Sequence, residues 1–307
     1  MTFLRSHVRE ALVAALSLAV VVLIGSGFFI HFDREGLFYF TTFRAYGRAL
    51  FVTLVMLALF TAIPRLRPYR DIFMFFLVFF LGYFVADLLY RSCHVKLSVL
   101  YPGSPHMRAF RHMDYFLLHR AYQLIPLAVT LLFYFTYPKG HFTSFLRFGD
   151  MDSPTRVVGR EADNWRRVTG FFVSILFGFL ALMALVSPGF FRAAAASFQS
   201  GGFFLLLSIF FYSALAAFIE EVFFRGIFLS VFEKTLGERG NLYQAFLFGA
   251  IHFDITNPAN SVLKLMLFVF LGWLWGRAAK ETGGLGAPWL MHFAIIVALE
   301  LRQNVFM

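Results

Sequence analysis

Charge is what this chain has least of. Only 14% of its 307 residues are Asp, Glu, Lys or Arg, whereas a water-soluble domain keeps roughly a quarter, so water is not the solvent for which this sequence is built. Cysteine is nearly absent. A single Cys93 excludes an intramolecular disulfide and a cysteine metal cluster, and it reads as structural. Missing too are a G-x-S-x-G nucleophile elbow, an S-x-x-K pair, a phosphate-cradling glycine loop and the H-E-x-x-H zinc motif. No internal repeat or low-complexity tract is evident. What is abundant is apolar: 60% of the residues are hydrophobic, 45 are Phe, and the mean hydropathy is +0.73.

The net charge of +10 does not point to nucleic acid, because the basic residues sit in short loops between apolar runs. That is the positive-inside pattern, with attraction to anionic headgroups. Apolar runs of spanning length occupy roughly 11–30, 46–63, 71–90, 115–137, 168–190 and 203–232, and shorter ones 241–253, 262–279 and 286–301. The expectation is an all-α, polytopic membrane helix bundle of eight transmembrane helices, with nine as the alternative. The first run, preceded by Arg5 and Arg9, reads as a retained membrane helix rather than a signal peptide. The division expected is a four-helix membrane module over 1–140, a polar loop over 141–167 on the cytoplasmic side, and a core over 168–307. The lipid bilayer is one partner, and the inner membrane of a bacterium is the expected location.

The run "ALAAFIEEVFFRGIFLS", residues 214–230, holds Glu220, Glu221 and Arg225 among apolar neighbours. Each such charge costs roughly 2.5–3.5 kcal/mol at mid-membrane, so structural pairing or chemistry must hold it there. At α-helical spacing Glu221 and Arg225 share a face and can pair. Glu220 points about 100° away from Glu221, onto a face with Ala216, Ala217, Phe223 and Phe224. The spacing therefore casts Glu221–Arg225 as a scaffold pair and Glu220 as a candidate general base or acid. A purely structural reading, in which all three charges hold helices together, stays open beside it.

Downstream, Phe248 and His252 are one helical turn apart, and Gly283, Gly284, Gly286 and Pro288 open a helix that carries His292. The pattern E-E-x3-R, F-x3-H and a third histidine resembles the CPBP family of CAAX-processing and bacteriocin-processing intramembrane proteases, which includes type II CAAX prenyl endopeptidases. The resemblance covers roughly 168–302. It implies that Glu220 activates a water, with His252 as its partner, and that His292 donates to the oxyanion. It also gives Glu221, Arg225 and Phe248 supporting places. The family has Asn four residues after the third histidine; this chain has Ile296. Losing one oxyanion donor costs about 10²–10³ in rate, and Asn257 and Asn260 are candidate substitutes. No cofactor is required by this reading, although a divalent metal such as zinc on Glu220, His252 and His292 stays open.

The leading reading is an intramembrane endopeptidase acting on a membrane-associated or C-terminally tagged protein or peptide. A non-catalytic binding or immunity factor on the same scaffold is second, favoured by Ile296. A transporter is third; it predicts further mid-membrane charges and Gly- or Pro-broken helix pairs in both halves, and these occur only in the C-terminal half.

Overall fold

The computed structural model describes residues 8–20, 53–100, 123–137, 144–155, 157, 163–186, 202–253 and 258–305. Among them the architecture is helical, with no strand beyond one isolated bridge between Pro154 and Asn164. The helices are α1 (8–20), α2 (53–62) and α4 (123–136), with α3 (Arg70–Leu100), α5 (Trp165–Val186), α6 (Gly202–Glu221), α7 (Leu229–Leu236), α8 (Gly240–Ala250), α9 (Pro258–Thr282) and α10 (Gly286–Val305). A 3-10 turn over Pro64–Tyr69 precedes α3.

Four described stretches are long and apolar enough to cross a membrane: Pro64–Ala86, Trp165–Leu182, Leu206–Ala250 and Ser261–Thr282. The chain is a multi-span helical membrane protein. In a bilayer only backbone that bonds within itself is tolerated, which is why such apolar runs become helices. The expected span at 11–30 is described only as far as residue 20, and Asn257 lies outside the described residues. Cys93 falls within α3.

The chain forms two compact units that do not follow its order: 1–89 with 125–144 and 224–277, and 90–124 with 145–223 and 278–307. The core of the first unit is aromatic. Phe76 stacks on Phe228 at 5.0 Å, and Phe75 meets Phe133 edge-on at 5.0 Å. At the margin of this core, Asp71 accepts from the Tyr137 hydroxyl at 2.7 Å and pairs with Lys234 at 2.9 Å. In the same unit α8 packs closely on α9 because a Cβ at Gly272 would lie 2.9 Å from the Ala245 Cα. Small residues are what let membrane helices approach so near.

In the second unit α10 packs on α6. Ile296 and Leu301 rest on the buried Ile209 and Tyr212, Phe293 meets Phe210 edge-on at 5.0 Å, and the Trp289 indole N–H donates to the Ala214 carbonyl at 3.1 Å. Along α5, Phe171, Ile175, Phe179, Leu182 and Leu185 are exposed, an apolar face suited to lipid rather than water.

Candidate active site

The α6 helix ends in the two carboxylates. Its last turns are built from Ala216, Ala217 and Ile219, all fully buried, and they carry Glu220 and Glu221. Glu221 is fully buried, whereas the Glu220 side chain keeps 18% of its exposure. His292 lies in the second turn of α10 and is buried as well. Its Nδ1 is 2.7 Å from Glu221 Oε1, and its Nε2 is 3.7 Å from Glu220 Oε2. The first distance is a short hydrogen bond and the second is not a hydrogen bond at all. With Glu221 ionised the shared proton sits on Nδ1, because a carboxylate can only accept. The imidazole is thus oriented by Glu221 and presents its other nitrogen toward Glu220.

Beyond Glu221 the helix changes pitch. Val222–Phe228 forms a π-helical stretch before α7 begins, where the sequence predicts a continuous α-helix. Such stretches replace i→i+4 bonds by i→i+5 bonds and recur at functional sites. The α-helical angles drawn from the sequence therefore stop applying at Val222. The boundary between the two units falls within this stretch, between Phe223 and Phe224. The expected Glu221–Arg225 pair joins residues of different units and stays a proposal.

Within the first unit, Arg225 is fully buried against aromatic faces. Its guanidinium lies 4.2 Å from the Phe248 ring centre and 5.1 Å from that of Trp275. A desolvated cation on such faces is stabilised by about 2 kcal/mol. Phe248 therefore has a concrete task, as the platform under Arg225. One turn on, His252 stacks on Phe268 at 3.8 Å, and its Nδ1 donates to the Phe248 carbonyl at 2.7 Å. A carbonyl only accepts, so that bond fixes the proton on Nδ1 and leaves Nε2 of the neutral ring as a lone pair suited to a base or a ligand.

The residues expected from the sequence thus appear as two groups, each within one unit: Glu220, Glu221 and His292, and Arg225, Phe248 and His252. Ile296 is half-buried in the α6–α10 seam on Ile209 and Tyr212, where its side chain serves packing. Among the described residues no three His, Cys, Asp or Glu side chains are grouped to hold a metal ion. Trp275 and Phe268 were not singled out from the sequence. They sit in an apolar stretch, and nothing in their spacing marks them apart from other lipid-soluble aromatics.

Fold and site together define a helical membrane protein with a buried histidine between two glutamates. The family model described as Type II CAAX prenyl endopeptidase Rce1-like matches residues 202–297. That span includes Glu220, Glu221, Arg225, Phe248, His252 and His292, so the resemblance drawn from these residues holds there, over roughly a third of the chain. No curated protein and no solved structure matches the chain.

Proposed function

We propose that this protein is an intramembrane endopeptidase that hydrolyses a peptide bond by glutamate-activated water. The observation that carries the reading is His292, held at 2.7 Å by the buried Glu221 and facing Glu220 at 3.7 Å, inside residues that match the protease family. Glu220 accepts a proton from water as the water oxygen attacks the scissile carbonyl carbon. The carbonyl becomes a tetrahedral oxyanion. When the C–N bond breaks, Glu220 returns the proton to the leaving amine. His292, as an imidazolium with Glu221 as counter-charge, donates from Nε2 to the oxyanion, which is worth most where water is excluded. The resemblance adds His252 as the partner of Glu220 in holding the water.

The scaffold of this reading has eight membrane spans in the inner membrane of a bacterium, with the 141–167 loop cytoplasmic. The substrate class is a membrane-associated or C-terminally tagged protein or peptide, and the prenylated C-a-a-X tail of the family is one instance. Ile296 supports a second reading, a non-catalytic binding factor, because it puts an alkyl side chain where the family has an amide.

The test uses the full chain in lipid vesicles with a farnesylated C-a-a-X peptide and its unprenylated counterpart. It is paired with a comparison of protein termini in membranes from cells carrying either the wild type or Glu220→Gln. Release of a C-terminal fragment, or termini lost in the variant, is expected. Intact peptides together with identical termini overturn the reading in favour of the binding factor.

A further inference from the structure

The polar segment between the α4 and α5 helices reads from the sequence as a loop, yet residues 145–152 run along the turn that starts α10. Phe145 is buried, and the Asp150 N–H donates to the Thr282 carbonyl at 2.8 Å. The Leu285 N–H donates to the Arg147 carbonyl at 2.7 Å, and the Gly286 N–H to the Phe148 carbonyl at 2.8 Å. Arg147 Nε donates to the Gly283 carbonyl at 2.6 Å. The far end is tied as well: the indole of the fully buried Trp165 donates to Glu281 at 2.9 Å, and Arg166 pairs with Asp152 at 2.6 Å.

Glycine makes this seat. Gly149 and Gly283 have φ of 85° and 68°, which side-chain-bearing residues rarely adopt. A Cβ on Gly284 would overlap the Arg147 carbonyl oxygen and the Gly149 nitrogen, and one on Gly286 would lie 2.7 Å from the Phe148 oxygen. The glycines that read from the sequence as a helix opening are therefore also the groove in which a strap lies.

The first N–H groups of a helix find no partner inside it. Here strap carbonyls take the N–H of Leu285 and Gly286 at the start of α10, doing with backbone what a capping side chain does elsewhere. They also fix where α10 begins, and so where His292 falls two turns later. We infer that residues 145–152 are a positioning element for His292, holding α10 in the register that brings Nδ1 to Glu221 and Nε2 toward Glu220. The effect passes through the α10 backbone; no strap residue touches the reacting atoms. Its consequence for turnover rests on the protease reading, but the geometry does not.

The experiment uses the full chain in lipid nanodiscs with ¹⁵N-labelled histidine, the His292 ring signals being those lost in His292→Gln. Gly284→Ala pushes the strap off its seat, and Arg147→Ala, at an exposed side chain, removes one bond and leaves the backbone ones. Both variants are expected to move the His292 Nδ1 signal toward its position in Glu221→Gln, Gly284→Ala the further. With the farnesylated peptide, kcat is expected to fall about 10–100-fold in Gly284→Ala at unchanged KM, as for a reacting group displaced by about 1 Å. His292 signals that coincide with wild type in folded Arg147→Ala and Gly284→Ala overturn the inference, whatever happens to kcat. Should Gly284→Ala not fold, Arg147→Ala alone decides by the same signal. Signals that move in a protein that cleaves nothing uphold the positioning and remove the protease reading.

Discussion

Cutting the contact between Glu221 and His292 tests the site where its geometry is tightest. The two groups are 2.7 Å apart, and both are buried to within a few per cent. Burial decides the magnitude: the same pair on a water-exposed surface would contribute about 0–1 kcal/mol, while a buried hydrogen bond to an ionised group contributes about 1.5–3 kcal/mol. Glu221→Ala also strands the Nδ1 donor and leaves a void, so its total loss is about 3–5 kcal/mol. Glu221→Gln keeps the shape and one acceptor oxygen and loses only the charge, so it falls well short of that. The assay is reversible unfolding of the purified protein in mixed micelles titrated with dodecyl sulfate. It is run on Glu221→Ala, His292→Ala and the double variant, with Glu221→Gln alongside. A coupling energy of about 1.5–3 kcal/mol is expected. Additivity within about 0.5 kcal/mol, or a Glu221→Ala protein as stable as wild type, refutes the contact.

Two further predictions concern the residues around it. Phe248→Leu removes the face 4.2 Å from the Arg225 guanidinium and should lower stability in the same unfolding assay by about 2 kcal/mol; an unchanged midpoint would show that the aromatic seat carries no energy. Ile296→Asn puts an amide into the Ile209–Tyr212 seam and should destabilise the protein by about 1–3 kcal/mol. Turnover per folded molecule should rise, by up to the factor of about 10²–10³ that one oxyanion donor supplies, only if the missing amide limits the rate, and unchanged turnover would remove it as that limit.

The membrane class was legible because bilayer insertion penalises charge residue by residue, and the scarcity of charge can be read without knowing any contact. Glu220, Glu221 and His292 stood out for the same reason: each is expensive in an apolar run unless something holds it. The bond that joins His292 to Glu221 was not legible. Spacing relates residues within one helix, and it paired Glu221 with Arg225 on the assumption of an unbroken α-helix. The π-helical stretch at Val222–Phe228 ends that assumption, and no residue type in "VFFRGIF" announces it. His292, bonded to Glu221, lies seventy-one residues on, and the packing of α10 on α6 sets that meeting. The Gly283–Gly286 turn shows the limit from the other side. Glycine and proline marked the helix start correctly, but the strap that lies on those glycines is joined through backbone groups every residue carries, so no side-chain pattern points to it.

The central claim is that Glu220 does chemistry while Glu221 holds His292 in place. Glu220→Gln in the vesicle-reconstituted protein, with peptide cleavage and the unfolding midpoint measured on the same preparation, tests it most directly. A loss of cleavage of about 10²–10⁴-fold, the usual contribution of a general base, is expected at an unchanged midpoint. Cleavage that persists undiminished in a folded Glu220→Gln protein contradicts it.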